Sequence, residues 1–391
     1  MRVNKVFRYE LKPNEVQKQI MAQHAGSARY AYNWALEKIN SKVFNTTNDK
    51  KLHALWRQYR PGWWDFSVSK CVPQEALVNL SNSFKNHRVN PGYFKDPVFK
   101  KKFIHDSFRL TGTVKVFANH VQLPILGKIR LKEVIDKYLR SLKSKNTKKL
   151  STKDYKKTDR ILSATVTRTA DRWYVSILVD IDIPEITDIP TGVVGIDFGI
   201  KKFLTLSNGL KFDHPKALKK HLKLLKRRQK QKDKKQKGSH NRLKSSLKLA
   251  RLHAKIANIR RDYLNKITTW LARSKSVIVL ENLNLKGMGK WHALAQALAD
   301  AGFGLFKSML QYKCQWYGSK LILADRWYGS SKTCSNCGWY YKDLSLKERS
   351  WICKSCNTDH DRDLNAAINL KKIGVLSHSR GIYACGDSYA G

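Results

Sequence analysis

VVGIDFGIKKFLTLSNG, residues 193–209, decides how this chain is read. VVGIDFG is an almost unbroken apolar run, the pattern of a strand buried on both faces. FLTLSNG follows after a short turn and reads as its hairpin partner. Asp197 closes the run. The chain carries 30 acidic against 76 basic residues, so an acid at the end of an apolar strand needs a reason. Such a carboxylate loses hydration unless it is paired or bound to metal. SVIVLENLNLKG, residues 276–287, repeats the arrangement with Glu281. A third acid opens the helical run in DHDRDLNAAINL, residues 359–370. Asp363 directly precedes that run and is preferred, with Asp361 as the alternative. Singly, each could be a turn or cap residue. Together they would repel one another, and a divalent cation removes the repulsion. Mg²⁺ suits a few carboxylates, retained waters and phosphate oxygens. Two such ions can activate water and steady the leaving oxygen of a phosphodiester.

Cys334, Cys337, Cys353 and Cys356 stand in C-x₂-C-x₁₅-C-x₂-C spacing between the second and third acids. Each pair supplies two thiolates to a tetrahedral zinc, and four thiolates leave no open position. The zinc expected there is structural. His360 is close in sequence, but four cysteines already complete the coordination. Cys71, Cys314 and Cys385 stand alone and read as ordinary thiols.

Net charge is +46 over 391 residues, far beyond what solubility requires. Nucleic acid is the matching counter-charge, because neutralised phosphates release condensed counterions. Hydrophobic content of 42% excludes a chain disordered throughout. No stretch nears the ~18 apolar residues of a membrane span. The opening MRVNKVFRYELKPNE lacks an apolar signal core, so a cytoplasmic protein without a membrane partner is expected.

The first ~185 residues read as strands with helices inserted. VNKVFRYELK alternates as a strand, and a helix follows Pro13 to about residue 42. PQEALVNLSNSFKNH is a second helical stretch. FRLTGTVKVFANHVQLPILGKIRL reads as short strands, and SATVTRTADRWYVSILVDI as a hairpin around Thr169–Asp171. SLKSKNTKKLSTKDYKKTD is expected to be an exposed loop and DIDIPEITDIP a linker. Residues 216–273 read as two basic helical arms broken near Gly238-Ser239. On the second arm Leu243, Leu247, Leu252, Ile256, Ile259, Tyr263, Ile267 and Trp270 form an expected packing stripe. Lys244, Lys248, Arg251 and Lys255 belong to its opposite face, together with Arg260, Arg261 and Lys266, and are expected to contact phosphates.

GIDFG, LENLNLKGM and SSKTCSNCG…CKSCNTDHDRDLNAAINL, in that order, resemble the RuvC nuclease domain of TnpB, a transposon-encoded family related to miniature type V CRISPR effectors. The resemblance extends over nearly the whole chain. It implies an α/β plus α+β architecture. Residues 1–185 would form a wedge-type β-barrel with a helical recognition module inserted at about 14–105. Residues 186–374 would form an RNase H-like (RuvC) domain with the arms and a Cys₄ zinc ribbon, about 330–358, inserted; 375–391 would be a disordered tail. Asp197, Glu281 and Asp363 would be the catalytic triad, and the ribbon a target-nucleic-acid-binding finger. A guide RNA from the transposon end would choose a double-stranded DNA target by base pairing. One copy of the chain would load on one RNA. By the same resemblance Lys70, Gln74 and Thr111 would read a short flanking motif. The implied activity is Mg²⁺-dependent, RNA-guided cleavage of both strands. The alternatives are a non-cleaving RNA-guided regulator and, ranked last, a guide-independent transposase.

Overall fold

The structure, a computed structural model, describes residues 2–60, 68–103, 106–144, 159–182, 190–289, 292–345 and 347–379. It divides into two compact units, residues 1–184 and 185–391.

The first unit holds β1 (Arg2–Lys12), α1 (Glu15–Asn40), α2 (Asp49–Tyr59), α3 (Cys71–Val89), β2 (Ser107–Leu110), β3 (Lys115–Val116), β4 (His120–Leu123), β5 (Gly127–Leu131), α4 (Lys137–Ser141), β6 (Lys143–Ser144), β7 (Arg160–Thr169) and β8 (Arg172–Asp182). The strands are ordered β2-β7-β8-β1-β5-β4-β3, with β6 on β7. Among the described residues β2 and β3 end the sheet without pairing to each other. One apolar core joins Val175 and Ile177 of the sheet to Met21, Leu36 and Leu77 of the helices. The hairpin turns at Ala170-Asp171, where Thr169 pairs with Arg172. Asn14 and Gln17 form a capping box that starts α1. The short helix α2 is absent from the sequence reading. Asn48 caps it by accepting from Lys50 and Lys51, and Leu52 and Trp56 bury its one apolar edge.

The second unit holds β9 (Val193–Phe198), β10 (Leu204–Leu206), β11 (Lys211–Phe212), α5 (Ala217–Asp233), α6 (His240–Ser274), β12 (Val277–Glu281), α7 (Leu285–Met288), α8 (His292–Ala301), α9 (Phe303–Tyr317), β13 (Lys320–Ala324), β14 (Ser350–Ile352), β15 (Asp359–Asp361) and α10 (Arg362–Ser379). Its sheet runs β11-β10-β9-β12-β13. β9, β10 and β11 form an antiparallel meander, while β9, β12 and β13 are parallel. Strand alternation sorts the two faces. Val194, Ile196, Ile278 and Leu280 face α6 and α9. Val193, Val277 and Val279 face Leu370 and Ile373 of α10.

Gly195 sets how closely α10 approaches. A Cβ there would collide with the Ala367 carbonyl and the Lys371 backbone nitrogen, and would lie 2.9 Å from the Leu370 Cβ. Gly374 makes the reciprocal fit: its Cβ would lie 2.6 Å from Val279 and 2.7 Å from Val193. Helix and strand thus touch backbone to backbone. Gly195→Val is expected to cost ~2 kcal/mol or more through overpacking. A thermal midpoint lowered by about 5 °C or more would report it; an unchanged midpoint would show that the contact is not tight.

Two expectations are corrected here. The buried face of α6 is Leu249, Leu252, Ile256, Leu264, Ile267 and Leu271, whereas Leu243 is 59% and Trp270 40% exposed. The helix is 35 residues long and has two partners. Its first half packs on α5 through Leu249, Leu252 and Ile256, and its second on the sheet and α9 through Leu264, Ile267 and Leu271, so no single stripe serves both. The expected tail from residue 375 begins as helix, since α10 continues to Ser379. The rest of that tail, with most of the expected loop at 141–159 and linker at 180–190, lies outside the described residues.

Candidate metal centres

β9 and β12 are adjacent and parallel, with Ile196 opposite Leu280. Asp197 and Glu281 are the next residue on each strand, so both sit at carboxyl ends, where open α/β sheets form their clefts. Alternation turns Ile196 and Leu280 into the α6/α9 core and the two acids toward α10. Phe198 holds the strand end by packing on Phe303 and Phe306, with ring centroids 4.8 and 5.6 Å away.

The helix brings the third acid. Gly195 lies under Ala367, and Gly374 near Val193, so α10 runs antiparallel to β9. From Ala367 back to Asp363 is about 6 Å of helix rise. Gly195 to Asp197 is about 6.6 Å of strand. Asp363 is thereby carried to the level of Asp197. Electrostatics agree: burial first, then Glu281 and Asp363, push the Asp197 carboxyl well above the ordinary range. Burial likewise raises Glu281, with Arg362 opposing. Among the described residues no lysine or arginine forms an ion pair with Asp197 or Glu281. Arg349 stands 3.7 Å from Asp363.

Asp361 has a different job. Its Oδ1 accepts from the backbone N–H groups of Asp363 (3.0 Å) and Leu364 (3.1 Å), the geometry of a helix cap. Its Oδ2 accepts from Lys211 Nζ at 2.6 Å. Burial pushes this carboxyl up, but the Lys211 and backbone bonds bring it below its ordinary value.

The sulfurs of Cys334, Cys337, Cys353 and Cys356 all lie within 4.8 Å of one another. Among the described residues they are the one group of three or more ligand atoms gathered so tightly; the three carboxylates are spaced more openly. The backbone N–H groups of Asn336 and Cys337 donate to Cys334 Sγ at 3.4 and 3.5 Å, the partners a thiolate needs. The donor set and spacing fit zinc. His360 Nε2 rests 3.0 Å from Cys334 Sγ, and its ring packs on Trp351. It abuts the cluster and is no part of it.

The other expected contacts are dispersed. Lys70 and Gln74 are exposed, one helical turn apart at the start of α3, and line a cleft of about 430 Å³ with His53, Arg57 and Arg60. Thr111 follows β2 and is not among the described residues lining that cleft. Lys244, Lys248, Arg251 and Lys255 are all exposed along α6. Arg260 departs from that face, being turned toward Asp300 at 3.7 Å.

A protein of Streptomyces pristinaespiralis named "Putative RNA-guided DNA endonuclease" is 32% identical over 98% of this chain and 92% of its own. The chain belongs to the TnpB family. A further relative, the "Putative RNA-guided DNA endonuclease InsQ" of Escherichia coli, is 28% identical over 97% of this chain and 94% of its own. Family models match residues 1–43 ("Helix-turn-helix domain"), 176–292 ("Probable transposase") and 303–370 ("Cas12f1-like, TNB domain"). The fold is shared with a solved Cas12f1-sgRNA-target DNA complex: TM-score 0.58, 13% identity, 95% of this chain and 99% of that one. In this TnpB-family chain no helix among the described residues is long and apolar enough to cross a membrane.

Several residues that shape the site escaped sequence reading. Gly195 and Gly374 hold helix to strand. Arg349, Arg362 and Lys211 supply the charge around the acids. Lys307 Nζ donates to Asn282 beside Glu281 at 3.3 Å. Against a background of 76 basic residues no single one stands out.

Proposed function

We propose that this chain is an RNA-guided DNA endonuclease, with Asp197, Glu281 and Asp363 as its metal-binding acids. The observation that carries the reading is Asp197: half-buried at a strand end, raised by the two neighbouring acids, and in no ion pair with a lysine or arginine among the described residues. Such a group is costly in an apolar setting unless a cation joins it. Bound there, Mg²⁺, as two ions, would supply an activated water and charge for phosphodiester hydrolysis. The protein's own part is to fix the acids on rigid elements and to ring them with Arg349, Arg362 and Lys307. The four cysteines hold structural zinc. The names borne by the Streptomyces and Escherichia relatives support RNA guidance and DNA as substrate. The sheet order supports an RNase H-like, RuvC-type assignment for residues 186–374. Residues 1–185 are read as the wedge barrel with its recognition module at about 14–105.

Within this reading the exposed basic face of α6, including Lys244, Lys248, Arg251 and Lys255, takes nucleic-acid phosphates. Lys70 and Gln74 read the flanking motif, since their cleft places a hydrogen-bonding amide beside cations; Thr111 is a separate contact. The guide comes from the transposon end, and one chain serves one RNA.

The two neighbouring acids separate by mutation. Asp363→Asn is expected to lower cleavage at least ~100-fold by removing a metal ligand's charge. Asp361→Asn keeps a capping oxygen and is expected to stay within a few-fold of wild type. Single-turnover cleavage rates decide it, and the reverse order would exchange the roles.

Trp327 lies three residues beyond Ala324, which pairs with Glu281 across β12 and β13, and it is 85% exposed. Its backbone N–H donates to Asp325 Oδ1 at 2.7 Å, and Arg326 lies 5.4 Å from its ring. An indole face beside a cation suits base stacking, worth ~1–3 kcal/mol per base. Trp327→Ala is expected to weaken single-stranded DNA binding about tenfold, read by fluorescence anisotropy; unchanged affinity would remove it from the substrate path.

The experiment for the whole proposal is purification of the chain with its bound RNA, followed by RNA sequencing and a cleavage assay with and without RNase. A single RNA species bearing a transposon-end sequence, with cleavage lost on RNase treatment, is expected. Cleavage that survives complete RNA removal would contradict guidance.

A further inference from the structure

Helix α10 is held on two sides. The sheet grips it through Gly195 and Gly374. From another side, two buried asparagines one turn apart, Asn365 and Asn369, each 1% exposed, reach the loop that leads into the first cysteine pair. Asn365 Nδ2 donates to the Thr333 carbonyl at 2.8 Å, and Asn369 Nδ2 to the Thr333 and Ser330 carbonyls at 2.6 and 2.9 Å. Asn365 Oδ1 accepts from the Ser335 N–H at 2.8 Å. Lys372 Nζ adds a bond to the Ser335 carbonyl.

Thr333 and Ser335 flank Cys334, the first thiolate of the cluster. Asn365 is two residues past Asp363, the third acid. The path from the cysteine cluster to the carboxylates is therefore two hydrogen-bonded links through one side chain. Apolar residues at 365 and 369 would leave the loop's buried carbonyls without donors. Two amides on one helix face satisfy them and also fix the azimuth and height of the helix's first turn.

We infer that Asn365 and Asn369 are positioning residues that couple the cysteine cluster to the carboxylate site, so that an ordered zinc knuckle sets where Asp363 stands. The inference rests on the proposed nuclease function, and its tests are chosen to fail separately from it. An acid that supplies one of three metal contacts must be placed within about 0.5 Å, so loosening its helix weakens metal binding before it disturbs nucleic-acid binding.

The test uses the full chain on its RNA with Asn365→Ala, Asn369→Ala and the double variant. Four quantities are read: zinc per chain, target DNA affinity, Mg²⁺ concentration for half-maximal cleavage, and hydrogen exchange at residues 362–366. The double variant is expected to keep its zinc and DNA affinity. Its half-saturating Mg²⁺ should rise about tenfold, with the plateau rate largely recovered, and exchange at 362–366 should quicken. Each single variant should fall between, which keeps the test available if the double does not fold. Zinc chelation should quicken exchange at 362–366 in wild type and add little in the double variant. Wild-type Mg²⁺ dependence and exchange in the double variant would overturn the coupling, as would zinc loss in step with activity. If wild type shows no cleavage at all, the functional proposal fails, and the exchange and chelation measurements still decide the coupling.

Discussion

Asp197→Ala is expected to reduce DNA cleavage at least ~10³-fold while leaving RNA and target binding intact. Asp197 lies on the central strand β9, between β10 and β12, and burial and both other acids raise its carboxyl. On the proposed function, removing it would delete a metal contact at the point where charge develops, a loss of about 4 kcal/mol or more in transition-state stabilisation. The same substitution should stabilise the metal-free protein. Burial and the neighbouring acids raise the folded carboxyl above its unfolded value, and Glu281 is raised by burial. An acid raised in this way contributes stability that is full below about pH 4 and lost as pH climbs through the folded value. Metal-free wild type should therefore lose stability as pH rises from about 4 toward neutrality. Asp197→Ala should flatten that slope and melt higher at pH 7. Thermal melts across pH in EDTA check this. Equal slopes for both proteins would show that Asp197 carries no such strain.

Cys353→Ser has the second large expected effect. The ribbon's own core is small: Cys334, Leu344, Trp351 and Cys353, with Trp339, Tyr341 and Cys356 partly buried beside them. The paired strands β14 and β15 add three residues each. So little buried surface cannot hold a ribbon of this size in water. A structural zinc supplies ~10–16 kcal/mol of apparent binding free energy in comparable sites. Cys353 is fully buried, so serine there removes a ligand with no water route to replace it. Zinc content should fall from one per chain to near zero. Residues 334–358 should become sensitive to limited proteolysis, while the sheet core of the same unit stays resistant. Target cleavage should fall at least ~100-fold. Full zinc content with a protected ribbon in the variant would contradict the assignment.

The features legible in the sequence share a cause: local patterns with one structural meaning. VVGIDFG and SVIVLE announced central strands because both faces are covered, and the cysteine spacing announced its cluster without knowledge of the fold. What stayed hidden depends on which element lies opposite. Gly195 reads as an ordinary glycine until α10 is known to rest on it. Asn365 and Asn369 read as polar helix residues until the knuckle loop is placed beside them. Sequence alone prefers Asp363 and keeps Asp361 as the alternative, because the two lie two residues apart at one helix start; backbone hydrogen bonds make Asp361 the cap of α10, and Asp363 adds to the charge felt by Asp197. The α6 stripe failed because a long helix that changes partners changes its buried face.

The most direct test of RNA-guided cleavage is a plasmid library carrying one target matched to the co-purified RNA, flanked by randomised sequence and incubated with the complex in Mg²⁺. The expected result is cutting only of matched targets, enriched for one short flanking motif, and absent with Asp197→Ala. No cutting for any flanking sequence, or cutting indifferent to the guide match, would contradict the account.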